Sequence, residues 1–250
     1  MLLSVCSRCW LQHHRNISSA AYLEKISNVL TNESKEQCIE TSRKVAEVYN
    51  KTYSNAWSNR KKNAAVLIAL CEVDETPSVL FTVRSQAVRL NRGHVSFPGG
   101  TVDREDKSLE DAALRECEEE IGFPQKNIDV WTMLPPLPDK SGTISVYGVI
   151  GNLGKIDQKD LKPNHDEVSD VFTVPIHFLC DPSNIRYTKF RVSSTSPAKV
   201  DYTMPVFTSS PIVWGLTACC LDLALYCLFP HDYQIVSRTH RMKQILPPNT

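Results

Sequence analysis

The sequence has no acidic residue before Glu24, no apolar run long enough for a membrane span, and no regular cysteine spacing. Each absence excludes something. A span needs roughly 18 uninterrupted apolar residues. The nearest segment, Leu216 to Phe229, is shorter and contains Asp222, so it reads as a buried helix. The cysteines stand at 6, 9, 38, 71, 117, 180, 219, 220 and 227. Their odd count and scattered placement speak against a disulfide framework and for free thiols in a reduced intracellular protein. Cys6-Ser-Arg-Cys9 has no partner pair at finger spacing, so no zinc centre is expected. Lys+Arg and Asp+Glu both number 28, which leaves no global basic field to recruit nucleic acid. Serine-hydrolase (GxSxG), zincin (HExxH) and Walker motifs are also missing, and there is no internal repeat or low-complexity tract.

What is present divides into four stretches. Residues 1–23 carry Arg8, Arg15, two His, several Ser and no acid, the composition of a mitochondrial transit peptide with the matrix as destination. Residues 24–62 are polar, with Val45, Val48 and Tyr49 following Ile39 at helical spacing, and read as one helix leading into a domain. Residues 63–235 hold the domain, and 236–250 form a loose basic tail. Within the domain, AAVLIALC to Cys71 is a buried-strand run, Pro77 breaks the chain, and SVLFTVR to Arg84 is a second strand of a hairpin. Ser108 starts a helix that Gly122 ends. Strands are expected at 128–134, 143–150 and 168–174, and a short helix after Pro175. A hairpin closes through 193–199 and returns as Asp201 to Phe207, a last strand runs Ile212 to Trp214, and a helix covers 216–229. Phe207 and Trp214 are expected in the core. Strands and helices intermix, which makes the chain one α/β or α+β domain.

Chemistry concentrates between 105 and 120, which holds eight carboxylates. With Glu116 at zero on a helix of 100° per residue, Glu119 falls at roughly −60° and Glu120 at roughly +40°. The three acids share one arc, beside the apolar arc of Ala113, Leu114, Cys117 and Ile121. Ala112 lies within the acidic arc and leaves space over it. Acids so close repel one another, and near a helix C-terminus the macrodipole disfavours them too. Clustered carboxylate oxygens suit a hard divalent cation such as Mg²⁺ or Mn²⁺.

Arg115-Glu116-Cys117-Glu118-Glu119-Glu120-Ile121-Gly122-Phe123, preceded by Gly100 and an acidic loop, resembles the second half of the Nudix box. That half reads Arg-Glu-U-x-Glu-Glu-x-Gly-U, with U apolar. The first half departs from the pattern. Gly100 lies one residue too far from Arg115, and Lys107 occupies the place of the box's first Glu, with Asp106 beside it. The first-Glu role is therefore not transferred. The resemblance implies a Nudix α/β/α sandwich with a mixed sheet. It implies metal ligands at Glu116 and Glu120, a ligand or catalytic role for Glu119, a carbonyl ligand at Gly100, and structural support from Arg115 and Gly122.

Leu80-Phe81-Thr82-Val83-Arg84-Ser85, Gly93, Phe97-Pro98-Gly99-Gly100, Leu161-Lys162-Pro163-Asn164 with Glu167-Val168, and Trp214-Gly215-Leu216-Thr217-Ala218 are similar to segments of the coenzyme A diphosphatase subfamily, most of all its mitochondrial animal form. This implies a CoA or acyl-CoA substrate, cut to adenosine 3′,5′-bisphosphate and (acyl-)4′-phosphopantetheine. Arg84, Arg89 and Arg92 are then candidates for the substrate's phosphates, including the 3′-phosphate. Glu167 is the candidate acid from a later loop, as metal ligand or general base, with Asp166 its competitor. Two other readings stay open. One is a different nucleoside diphosphate-X substrate, such as ADP-ribose or NADH. The other is a non-catalytic binding module, which would be expected to lose the box acids. Neither a nucleic-acid partner nor a membrane span is expected, and no oligomeric state is assigned.

Overall fold

The computed structural model describes residues 20–53, 62–88, 91–139, 141–191, 201–233 and 238–239. The leader to residue 19, Arg89, the loop 192–200 and most of the tail lie outside them; within the tail 236–250, expected to be loose, Arg238–Thr239 instead pair as a strand with Tyr202 and Thr203. In chain order the elements are α1 (Ala20–Ser27), α2 (Asn32–Tyr53), β1 (Lys62–Val73), β2 (Thr76–Arg84), β3 (Val95–Ser96), β4 (Gly99–Thr101), α3 (Leu109–Ile121), β5 (Asp129–Met133), β6 (Leu137–Pro138), β7 (Ile144–Lys155), β8 (Val168–Pro175), α4 (Ile176–Cys180), β9 (Ile185–Arg191), β10 (Asp201–Phe207), α5 (Gly215–Leu228) and β11 (Arg238–Thr239).

The apolar run of β1 is continuous because the strand is covered on both faces. Leu67, Ala69 and Cys71 pack with Ala112, Ala113, Cys117 and Ile121 of α3. Ile68 and Leu70 pack in a second core with residues of α1, α2, α4 and α5. The result is an α/β/α sandwich. Its sheet is mixed: β1 runs parallel to β7 and antiparallel to β2 and β4. The main path is β3-β2-β1-β7-β5, with β8 on β2 and β6 on β7. One edge of β1 is shared, its start pairing with β4 at 64–66 and its end with β2 at 69–73. At the changeover the Leu67 N–H donates to the Pro98 carbonyl at 2.8 Å. The segment carrying Gly99 and Gly100 is thereby pressed into the sheet, facing α3.

Several expectations are corrected. The stretch expected to be a single lead-in helix is two helices, broken at 28–31, where the Thr31 hydroxyl accepts from the Ser34 N–H. They form part of a sandwich layer: Tyr22, Ile26, Val29, Cys38, Val45 and Tyr49 are buried. Lys35 donates to both carboxylate oxygens of Asp129 in β5 at 2.6 and 2.8 Å. Pro77 does not break the chain. It sits second in β2 opposite Glu72, close to the strand's start, where proline is tolerated. The turn falls instead at Asp74 and Glu75, both at positive φ (46° and 59°). Ile212 to Trp214 is no strand, because pairing reduces to one bridge between Phe207 and Val213. Ala112 is fully buried and so belongs to the core rather than to open space over the acids. Phe207 is buried as expected, but Trp214 is 46% exposed.

Cys38, Cys71, Cys117, Cys180, Cys220 and Cys227 are free thiols. Burial pushes Cys38, Cys71, Cys117, Cys180 and Cys220 up to about 12, so they stay protonated and behave as small apolar residues. Among the described residues no helix is long and apolar enough to cross a membrane.

Candidate active site

Helix α3 presents the acids, and its ends are fixed by local chemistry. The Ser108 hydroxyl accepts from the Asp111 N–H at 3.0 Å and caps the first turn. Gly122 takes the left-handed conformation (φ 71°), its N–H donating to Glu118. A side chain there would be strained and would meet Lys162. Beyond Gly122, a loop returns to the helix end: the Lys162 N–H donates to the Ile121 carbonyl at 2.8 Å, and the Asn164 N–H to the Glu120 carbonyl at 2.9 Å. These bonds satisfy carbonyls that a helix C-terminus leaves open. They also deliver Glu167 to the same end of the helix. Its carbonyl accepts from the Ser85 N–H, which pins it to the end of β2.

Glu116, Glu120 and Glu167 consequently converge. One carboxylate oxygen from each lies within 4.8 Å of the others, an arrangement that could hold a metal ion. Glu120 is buried at 2% exposure and accepts from the Gly99 N–H at 3.3 Å. Burial pushes its carboxyl up to about 8; Arg84 pulls against this, while Glu116 and Glu167 add to it. Burial also raises Glu116, with Arg115 opposing. Gly100 packs so closely on Glu116 that a Cβ would overlap the carboxylate. Only glycine leaves that acid its place.

The expected residues divide as follows. Arg84 ends β2 with its guanidinium 3.9 Å from Glu120. Glu119 stands off the trio, more than half exposed, and its carboxylate accepts from Arg115 at 3.0 Å. Asp166 lies outside the trio, at the surface, its N–H donating to the Asn164 side chain. Arg92 is exposed and folds back on its own loop, donating to the Val88 carbonyl. Arg89 lies outside the described residues.

One residue with a positioning role was not assigned from the sequence. Asp106 takes both Nε and Nη2 of Arg115, at 2.9 and 3.0 Å, with only 4% of its side chain exposed. Those hydrogen bonds hold Asp106 below the usual carboxylate range. The same guanidinium reaches Glu116 at 3.2 Å and the Thr101 carbonyl at 3.3 Å. Lys107, at the position where the box has its first Glu, is exposed. The extra loop residue thus sets the acid one place earlier and keeps it on Arg115. The expected outcome is that Asp106→Ala lowers stability by about 1–3 kcal/mol, since it strips a charged donor of its bidentate partner, while Lys107→Ala shifts it by less than about 0.5 kcal/mol. Urea melts of the two variants check this, and equal midpoints would contradict it.

A NUDIX domain model matches residues 61–192. The chain is 39% identical over 177 residues to the human protein named mitochondrial coenzyme A diphosphatase NUDT8, covering 70% of this chain and 73% of that one. Against the mouse protein of the same name it is 39% identical over 178 residues, covering 70% and 82%. It is 34% identical over 160 residues to an uncharacterized Nudix hydrolase, NudL, of Pectobacterium atrosepticum, covering 64% and 79%. The chain belongs to the Nudix hydrolase family.

Proposed function

We propose that this Nudix hydrolase cleaves the diphosphate bond of CoA and acyl-CoA, using Mg²⁺ or Mn²⁺ held by Glu116, Glu120 and Glu167. The observation that carries the proposal is the meeting of these three carboxylates within 4.8 Å. The donor set fits such an ion: it is all oxygen, its burial and crowding hold Glu120 up at about 8 without a cation to favour the ionised form, and no thiol or imidazole belongs to it. When bound, the ion supplies charge neutralisation at the diphosphate oxygens and acidifies a water. The remaining work falls to the chain. Glu167, carried on a surface loop, accepts the proton of the attacking water. The water oxygen bonds to one phosphorus as the bridging P–O bond breaks. Arg84, 3.9 Å from Glu120, offers its guanidinium to the substrate's phosphates. Glu119, turned toward Arg115, flanks the trio, and Gly100 supplies the close backbone approach.

The choice of CoA among nucleoside diphosphate substrates is supported by the activity in the names of the human and mouse relatives and by the segment around Arg84. Mass spectrometry of products from CoA, ADP-ribose and NADH with Mg²⁺ or Mn²⁺ tests it. Adenosine 3′,5′-bisphosphate and 4′-phosphopantetheine are expected from CoA, at a kcat/KM at least tenfold above the other two. Faster cleavage of ADP-ribose or NADH would replace the substrate. The acid-free leader and the mitochondrial relatives support import into mitochondria. Retained import after deletion of residues 1–23 would refute that route.

A further inference from the structure

Trp214 is an aromatic residue in the wrong place for a core. Its neighbour Val213 and its pairing partner's residue Phe207 are fully buried, and together they hold the segment through two backbone hydrogen bonds, of 2.9 and 3.1 Å. The first turn of α5 is tied to β3 by the Thr217 hydroxyl on the Val95 carbonyl at 3.0 Å. Trp214 is therefore anchored by its backbone while nearly half its surface stays open, and Ile212 beside it is 52% exposed. Packing does not require an indole at this position.

What the indole touches is informative. The His94 ring meets it edge-on, with centroids 5.0 Å apart and planes at 60°. His94 is in turn hydrogen-bonded to Arg84: its carbonyl accepts from the Arg84 N–H at 3.0 Å, and the Arg84 carbonyl accepts from the neighbouring Gly93 N–H at 3.0 Å. Glu120, Arg84, His94 and Trp214 thus form a connected series running from the carboxylate trio to an open aromatic surface.

Resting on the CoA reading above, we infer that Trp214, braced by His94, is the platform on which the adenine of the substrate stacks. The adenosine end of that substrate carries its phosphates on the ribose, at the 3′ and 5′ oxygens, so its receptor needs a flat apolar face for the base and a cation near the sugar. The pantetheine arm has no such charge beyond the diphosphate. Base–aromatic stacking accepts any purine face, and loss of one such contact weakens binding by roughly 5- to 150-fold.

The test uses the full-length protein with Mg²⁺ and two readouts. In CoA hydrolysis, Trp214→Ala should raise KM about tenfold, more than it lowers kcat, and Trp214→Phe should recover most of the loss. In the second readout, adenosine 3′,5′-bisphosphate should quench tryptophan fluorescence of the parent and do so far less in Trp214→Phe, while 4′-phosphopantetheine quenches neither. Unchanged KM in Trp214→Ala together with unchanged quenching in Trp214→Phe overturns the inference. Quenching by 4′-phosphopantetheine alone also overturns it and moves the surface to the other arm. A parent that is quenched through Trp214 by adenosine 3′,5′-bisphosphate but leaves CoA intact upholds the platform while refuting the CoA activity.

Discussion

Glu120→Gln is expected to cut turnover by about a thousandfold or more while leaving the fold intact. A thousandfold loss corresponds to roughly 4 kcal/mol of transition-state stabilisation, in the range expected when a catalytic metal loses a ligand. The change is nearly isosteric, so the buried site keeps its packing, and the amide oxygen can still accept from the Gly99 N–H. What disappears is one of three carboxylates within 4.8 Å. Without metal, burial together with Glu116 and Glu167 already pushes the Glu120 carboxyl up to about 8, so near neutral pH the metal-free site loses little charge on the change. The metal-free variant should therefore melt no lower than the metal-free parent, and its Mg²⁺ affinity by calorimetry should fall with its activity. Glu116→Gln should behave alike, with a second cost, since Arg115 loses one of its partners. A Glu120→Gln enzyme with parental kcat would remove the trio from the reaction.

How far the sequence discloses this site depends on what fixes each residue. Within α3 the spacing of acids and apolar residues is rigid, because every residue advances the same angle. The face carrying Glu116 and Glu120 and the one carrying Cys117 and Ile121 could thus be read directly. Loops have no such ruler. The extra residue between Gly100 and Arg115 moved the supporting acid from the place of Lys107 to Asp106, and only a backbone trace shows which of the two reaches the guanidinium. The α1–α2 layer was obscured for a different reason. Its buried residues, such as Cys38 and Val45, are sparse among polar ones, so its composition resembles that of a solvated helix although one face covers the sheet. Trp214 illustrates the limit of residue type. An aromatic in an apolar segment is usually core, yet here Val213 takes the inward position and Trp214 is turned outward.

The later loop combines both situations. Sequence alone left Glu167 and Asp166 as rivals, because a one-residue shift in an unpaired segment costs nothing that composition can register. The hydrogen bonds resolve the geometry. Asn164 is tied to the helix end through the Glu120 carbonyl, and its own carbonyl accepts from the Glu167 N–H at 2.9 Å. The Glu167 carbonyl is held by Ser85 at the end of β2. With its backbone fixed at both groups, Glu167 brings its carboxylate to Glu116 and Glu120. Asp166, a residue earlier, accommodates the turn through Asn164 and stays at the surface. If Glu167 takes the proton of the attacking water, Glu167→Gln should lower kcat by about 10²- to 10⁴-fold, the range for a lost general base, and change KM far less. Asp166→Asn should keep kcat within about threefold of the parent. Steady-state kinetics on CoA at saturating Mg²⁺ separates the two, because excess ion offsets any loss of affinity and isolates the proton-transfer defect. Parental kcat in Glu167→Gln would take this acid out of the mechanism, and a larger loss in Asp166→Asn would assign the proton to its neighbour.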